Sequence, residues 1–305
     1  MIGSGATAIT LVPALAPTVQ KVTMLQRSPS YVMPLKAEAS GAWIRAVAPR
    51  RYVDTLIRWK HILIAMIFYH ICKNFPRFVR ALLKAMTTSY LPNNVPYDPH
   101  FNPSYNPWEQ RICFCPNGDF FKALHRQNTE IVTDTIQNVN EKGIQTSSGR
   151  FLEADIIVTA TGLRIQVAGG ARITVDGAEI PFGEKYLWNG AMIQDIPNAT
   201  YIIGYGNISW TLGSDSTALL VIRLIKEMKK KDYEVAIPRL DKDHGMKTTP
   251  VLNIKANYVL KAKDLIPQAG DAAPWHARDD AIRDIYNAKY GDISKHMEFL
   301  PKKTE

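Results

Sequence analysis

The residues Gly3-Ser4-Gly5-Ala6-Thr7-Ala8 carry the spacing G-x-G-x-x-A. In such a turn the first glycine permits the tight bend and the second lets the backbone come close to an anionic group. A small third residue, here Ala8, lets the following helix pack against the preceding strand. The run from Ala6 to Ala16 has a helical pattern, and the free N–H groups at its start would point at a diphosphate. A glycine-rich turn without a ligand is the other reading of the motif alone. The next apolar run, Lys21 to Leu25, reads as a buried strand ending in Gln26-Arg27-Ser28. An NAD site places an acid there for the ribose hydroxyls, whereas an arginine and a serine favour the 2'-phosphate of NADP. The alternative for Arg27 is an ordinary surface arginine.

These residues need a scaffold. A dinucleotide turn follows a central strand, typically about five or six residues long, and only Met1 and Ile2 stand before Gly3. Each missing buried apolar residue forfeits about 1.5 to 3 kcal/mol, against a net domain stability of about 5 to 15 kcal/mol. A chain beginning at Met1 is therefore expected to be marginal unless another segment supplies that strand.

The 305 residues, 46% hydrophobic and 21% charged, suit two globular domains of ordinary size. Cys72, Cys113 and Cys115 make neither a disulfide framework nor a C-x-x-C pair, which suggests a reducing compartment. A metal on the lone C-x-C would lack a second ligand pair, so thiols are preferred and no metal site is expected. The net charge of +9 is concentrated: between Trp43 and Tyr90 nine basic residues face one acid, Asp54, for +8. Apolar residues fill the gaps between those charges. That pattern fits basic amphipathic helices suited to lie on a membrane surface, and no nucleic-acid partner is expected. The longest uncharged run there, His61 to Cys72, is well short of the roughly 20 residues that span a bilayer. The first residues have no basic start followed by an apolar run. The expectation is a cytoplasmic protein, with peripheral contact at the inner face of the membrane through residues 43–90.

Residues 40 to 92 read as a helical insertion broken at Pro49 and Pro76 and closed by Pro92. Tyr69 and Lys73 match Y-x-x-x-K, but the companion glycine pattern of short-chain dehydrogenases is absent and the match is read as coincidence. Residues 92 to 119 read as a long loop, which in a compact chain is more often functional than idle. Strands are expected at Glu130–Thr133, Ile144–Thr146 and Asp155–Thr159, the last ending at Ala160-Thr161-Gly162. Those small residues permit close approach of a ligand, although packing alone explains them too. A further strand, Tyr201 to Ile203, precedes Gly204-Tyr205-Gly206-Asn207-Ile208-Ser209-Trp210. A helix from about Ser214 to Lys231 follows, capped by Ser214 or Asp215, with Leu219, Leu220, Ile222 and Ile225 as core. Its N-terminus is suited to stabilise negative charge on a bound ring, as a plain buried helix would also be.

Taken together, Ile2 to Ala8 with Thr23 to Pro29, Tyr105-Asn106-Pro107-Trp108-Glu109-Gln110-Arg111, Ala160-Thr161-Gly162 and Gly204 to Thr211 resemble the flavin-dependent monooxygenases of the Baeyer-Villiger type, in particular the ethionamide-activating branch. The resemblance implies an α/β chain with two parts. Residues 1–162 would be a Rossmann-like NADP-binding domain with the helical insertion at about 40–92. Residues 163–305 would be the C-terminal part of a FAD-binding Rossmann-like domain.

It also implies a chemistry. NADPH reduces FAD, O2 adds to the reduced flavin, and the peroxyflavin places one oxygen atom beside a hydrophobic ketone or on a sulfur. Gly3, Ser4, Gly5, Ala6, Thr7 and Ala8 would hold the NADPH diphosphate, Arg27 and Ser28 its 2'-phosphate. Arg111 would be the catalytic arginine that stabilises the peroxyflavin anion and orients the nicotinamide, with Gln110 beside it. Seen alone, Arg111 reads equally well as a loop arginine capping carbonyls. Ala160, Thr161 and Gly162 would mark the return to the FAD domain, and Asn207 and Trp210 would lie near the flavin. The family also carries an N-terminal G-x-G-x-x-G for FAD and an F-x-G-x-x-x-H-x-x-x-W stretch, both absent here. A separate N-terminal FAD-binding piece is therefore an expected partner. The alternatives are a relative of the pyridine nucleotide-disulfide reductases and a non-catalytic NADP-binding or membrane-surface protein.

Overall fold

The computed structural model describes residues 1–35, 41–241 and 243–302. The chain divides into two compact units, Met1–Leu163 and Arg164–Glu305. Position 40, where the helical insertion was expected to start, lies outside the described residues.

In the first unit α1 (Ala6–Leu15) follows the glycine turn and leads to β1 (Val22–Gln26). β1 pairs in parallel with β4 (Thr129–Thr133), from Val22 opposite Thr129 to Gln26 opposite Thr133. On its other side lie Met1 to Gly3: the Leu25 N–H donates to the Met1 carbonyl and the Gly3 N–H to the Leu25 carbonyl, both at 2.8 Å. The far edge of this short segment takes a 2.7 Å bond from the Ala160 N–H to the Ile2 carbonyl. Met1 and Ile2 therefore occupy the central place that the turn requires, between β1 and residues 158–160.

A parallel sheet is buried on both faces. One face is covered by α1, which buries Ala8, Ile9 and Val12 with Phe120 and Phe121 of α6 (Asp119–Leu124). The other is covered through Ile144 and Leu152 of the antiparallel meander β5 (Ile136–Asn140), β6 (Gly143–Thr146) and β7 (Phe151–Glu153). The expected strand Asp155–Thr159 is reduced to a single bridge between Thr159 and Ile2. A strand is defined by its partner, and the partner here is two residues long.

After β2 (Val32–Leu35) come α2 (Ala42–Val47), α3 (Arg50–Asn74) and α4 (Pro76–Tyr90). Pro49 stands immediately before α3 and Pro76 opens α4, where a missing N–H costs nothing. α3 buries only Val53, Ile62 and Cys72 of its 25 residues, while α4 buries Val79, Leu83 and Thr87 at helical spacing. Among the described residues no single helix is long and apolar enough to cross a membrane; α3 with α4 passes that test only as a pair bent by 112°. The long loop expected over 92–119 is more structured than its composition suggests. It holds one turn, α5 (Tyr97–His100), and β3 (Cys113–Pro116), which pairs in parallel with β2.

In the second unit a helix, Trp210–Lys230, packs against the helix Ala281–Tyr290 and the strand Tyr233–Pro238, which pairs antiparallel with Met297–Pro301. The first helix starts four residues before the expected Ser214, with Ser209 as N-cap. Its start is set by packing: a Cβ on Gly213 would press on the Ile203 carbonyl at 2.6 Å, so the first turn lies on the preceding backbone. The core stripe is Leu212, Ser216, Leu220 and Leu224, at spacing four, joined by Thr217. Of the expected core residues only Leu220 is buried. Leu219, Ile222 and Ile225 are 37%, 51% and 46% exposed, because Ile222 and Ile225 lie on the opposite side of the helix and Leu219 at the edge of the stripe. The expected strand Tyr201–Ile203 runs without strand pairing.

Candidate functional site

Gly3 sits at φ +135°, and a Cβ there would collide with the Ala160 carbonyl oxygen. Glycine is thus required both by the turn and by the backbone packed against it. At Gly5 an added Cβ would meet nothing within 4 Å, so the space above the second glycine is open. Gly5 is the N-cap of α1, whose first turn has no side-chain cap and no acid. The amides at this helix end remain for an anion, with Ala6 and Thr7 exposed and Ala8 fully buried against the sheet. These features fit a dinucleotide diphosphate.

The Ser4 hydroxyl is engaged within the protein: it donates to the Ser28 carbonyl at 2.9 Å and lies 3.2 Å from the Ser30 hydroxyl. This pair ties the turn to the end of β1. There Arg27 is exposed, and no hydrogen bond or ion pair holds it among the described residues, as a 2'-phosphate ligand requires. Ser28 is exposed beside it.

Ser30 lies beside the Tyr105 side chain, whose hydroxyl burial pushes up and Ser30 draws back. The Tyr31 hydroxyl donates to the Tyr105 carbonyl at 2.9 Å, with the two rings edge to face at 5.5 Å. Beyond Tyr105 the loop folds on itself. The Asn106 N–H donates to the Glu109 carboxylate at 3.2 Å, and the Glu109 N–H donates to the Asn106 carbonyl at 3.0 Å. Trp108, at φ +64° and 3% exposed, is its anchor against Tyr69 of α3. The buried side chains of α3 and α4 (Cys72, Val79, Leu83) complete that core with Trp108 and Ile112, so the helices are the platform of this loop. Gln110 and Arg111 follow the anchor and are half-buried. Arg111 is close enough to Cys113 to pull its thiol down against the larger upward push of burial. The glycine turn and the Arg111 loop are thus linked through Ser4, Ser30 and the adjacent Tyr31, whose hydroxyl holds the Tyr105 carbonyl. Ser30 had no signal in the sequence, since a serine after a strand is unremarkable.

At the same end of the sheet Gln26, 2% exposed, donates its amide N–H groups to the His100 carbonyl and the Thr133 hydroxyl, each at 2.8 Å. That hydroxyl also lies 2.8 Å from His100 Nδ1, the donor being set by the imidazole tautomer. Burial lowers the His100 pKa from 6.5 against the opposing pull of Asp98. In the window just below 6.5 the unfolded chain binds a proton that the folded one does not, so stability is full above 6.5 and is lost as pH falls. Thermal unfolding followed from neutral to mildly acid pH should show this loss, and His100→Gln should flatten that part of the curve. An unchanged acid limb in the variant would show that His100 does not contribute.

Of the remaining site residues, Ala160 is half-buried against Gly3, whereas Thr161 and Gly162 are exposed, with Gly162 at φ +102°. In the second unit Asn207 is 7% exposed, its amide donates to the Asp279 carbonyl at 2.7 Å, and its Oδ1 is buried with no partner among the described residues. Trp210 is the first residue of its helix, 45% exposed, with its indole where a Gly204 side chain would be. The Ser209 side chain does not cap this helix end. An orphaned acceptor beside an uncapped helix N-terminus and an exposed indole fits a polar aromatic ring system such as a flavin.

Sequence reasoning missed what holds this segment. Arg278, 4% exposed, donates to the carbonyls of Gly213, Gly190 and Asn189, and the Tyr205 hydroxyl donates to Asp284 at 2.9 Å. Burial pushes the Asp284 carboxyl up despite Arg283 and Arg278 nearby. No spacing distinguishes Arg278 from its charged neighbours in Arg278-Asp279-Asp280.

No family model matches the chain. It is 40% identical over 300 residues to the FAD-containing monooxygenase EthA of Mycobacterium tuberculosis, covering 96% of this chain and 60% of that protein. It is 42% identical over 284 residues to the putative FAD-containing monooxygenase MymA of the same species, covering 90% and 56%. With the probable FAD-binding monooxygenase AlmA of Acinetobacter baylyi it shares 38% over 310 residues, covering 100% and 61%. The chain thus spans about three-fifths of the length of the curated relatives it matches. Among solved structures, an oxidised steroid monooxygenase bound to NADP matches with a TM-score of 0.70 at 14% identity, covering 98% of this chain and 66% of that one. Cyclohexanone monooxygenase from Rhodococcus sp. Phi1 bound to NADP+ matches with 0.64 at 14%, again covering 98% and 66%. These likenesses show the fold, an α/β architecture of Rossmann type.

Proposed function

Because the chain is a sequence relative of the flavin-dependent monooxygenases of the Baeyer-Villiger type, on the branch of the ethionamide-activating enzyme, we propose that it belongs to an NADPH- and FAD-dependent oxidoreductase that transfers one oxygen atom from O2 to a hydrophobic ketone or a sulfur. In this reading the first unit binds NADPH and the second forms part of the FAD-binding domain. A separate N-terminal FAD-binding piece that supplies the FAD diphosphate turn belongs to this proposal. Contact of residues 43–90 with a membrane belongs to the same reading.

When bound, FAD would supply hydride acceptance from NADPH and activation of O2, and the chain's own residues would bind and orient. The Gly3–Gly5 turn and the first amides of α1 hold the NADPH diphosphate, and Arg27 takes the 2'-phosphate. Arg111 supplies a positive charge on a planar guanidinium at the place where the reaction develops negative charge. Asn207 and Trp210 take the flavin ring.

The observation that carries the reading is the open, uncapped glycine turn joined through Ser4, Ser30 and the adjacent Tyr31 to the loop that bears Arg111. Titration of the full chain with NADPH and NADH tests it. NADPH should bind more tightly, and Arg27→Ala should remove about 1.5 to 3 kcal/mol from NADPH alone, a loss of roughly ten- to hundredfold. Equal affinities in the unchanged protein would overturn the assignment. A second reading, an NADP-binding membrane-surface protein without oxidation, is favoured by the exposed apolar side of α3. NADPH binding without any oxidation in the presence of FAD and the N-terminal piece would establish it.

A further inference from the structure

Apolar side chains are exposed along α3 at one helical face: Tyr52, Leu56, Leu63, Ile67 and Ile71 recur at spacings of four and seven, and each is between 37% and 57% exposed. Ile64, at 55%, widens the stripe. It continues past the 112° bend through Phe75 and Phe78, 63% and 64% exposed, and into Leu82 of α4. On the near side Trp43 and Val47 of α2 are 65% and 75% exposed. Isolated exposed apolar residues need no explanation, but a run continuous over three helices marks an interaction surface.

Charge selects what covers it. The stretch Trp43 to Tyr90 carries +8. Two copies of the chain meeting here would bring +8 against +8, whereas an anionic surface is attracted. Arg51 lies over the Tyr52 ring at 4.6 Å, placing a cation beside the apolar stripe. A basic helix with one apolar side lies in the plane of a bilayer, sinking that side to the headgroup and acyl boundary while the flanking cations meet lipid phosphates. The bend between α3 and α4 prevents the pair from forming one straight span.

We propose that α2, α3 and α4 form a docking surface for an anionic lipid bilayer, with Leu56, Ile64, Ile67 and Phe78 as the inserted residues. This rests on the membrane contact included in the proposed function and names its chemistry and its residues. It also gives the α3–α4 platform a second role. The helices that seat the Arg111 loop on one side would hold that loop close to a membrane, where an apolar substrate concentrates.

The test is co-sedimentation of the full chain with vesicles of phosphatidylcholine alone and of phosphatidylcholine mixed with phosphatidylglycerol, with NADPH binding and thermal unfolding measured on the same samples. Binding is expected to the mixed vesicles and to weaken with salt. Ile64→Glu and Ile67→Glu, both at exposed positions, should each reduce binding roughly tenfold or more, since each withdraws an apolar side chain from the bilayer. Their unfolding should be unchanged. Absence of binding to the mixed vesicles overturns the docking surface, and with NADPH binding intact the NADP-site reading survives. Equal binding to both vesicle types overturns the role of charge. A dimer in solution that Ile67→Glu converts to monomer overturns the lipid assignment in favour of self-association.

Discussion

Replacing Arg111 with alanine should leave NADPH oxidation largely intact while product formation falls by about a hundred- to a thousandfold, the usual cost of removing one preorganised charge stabiliser. The measurement is made with FAD and the N-terminal piece supplied, following NADPH absorbance and oxygenated product in parallel. The expected signature is uncoupling: reducing equivalents are consumed and reach water or peroxide rather than the substrate. Arg111→Lys separates charge from geometry, because an ammonium keeps the charge and loses the planar fork. Arg111 also has a partner of its own and stands one residue before the buried Ile112. Thermal unfolding of both variants is therefore part of the experiment. Product formation unchanged in a folded Arg111→Ala protein would remove the arginine from the chemistry.

Gly3→Ala should be among the most destabilising single-methyl changes in the first unit, costing about 3 kcal/mol or more. Two independent demands coincide there: φ of +135°, and a carbonyl, that of Ala160, where the methyl would go. Neither can relax alone. The Gly3 N–H is bonded to Leu25, and the Ala160 N–H is bonded to Ile2. Gly5→Ala is the control, because its methyl meets nothing within 4 Å in the protein. It should unfold like the unchanged chain and yet bind NADPH more weakly, since the open space is where the diphosphate would lie. Denaturant unfolding and NADPH titration on the two variants give opposite patterns if this is right. A Gly3→Ala protein as stable as the original would mean that Ala160 does not press on the turn.

Much of the local structure was legible in the residues. The G-x-G-x-x-A turn, the helix after it and the strand ending at Gln26 follow from glycine chemistry and apolar pattern, which act over a few residues. Prolines at 49 and 76 coincide with the limits of α3 and α4 for the same reason. The candidate site was legible only where a motif reports it. Gly3, Gly5 and Arg27 stand where the fingerprint places them, and their roles toward NADPH are proposals that the titrations above decide.

What was misread has a common cause. The segment 155–159 has the composition of a strand, but pairing depends on Met1 and Ile2, more than 150 residues away in sequence. β3 was read as loop because its partner β2 lies about 80 residues earlier. In the Trp210 helix, Leu219, Ile222 and Ile225 are as apolar as Leu220, and only the neighbouring strand and helix decide that the Leu212–Leu224 side is buried. Arg278 and Ser30 carried no signal, since each matters through partners 65 and 26 or more residues distant.

The sequence by itself determined which segments turn, which wind into helices and where a G-x-G-x-x-A turn and a basic apolar stretch lie, because those properties reside in consecutive residues. The tertiary structure alone decided that Ala160 closes on Gly3, that Ser30 and Tyr31 join the turn to the Arg111 loop, and that the α3 stripe faces outward. Each of those depends on which distant surfaces meet, and packing between distant residues has no periodicity along the chain to announce it.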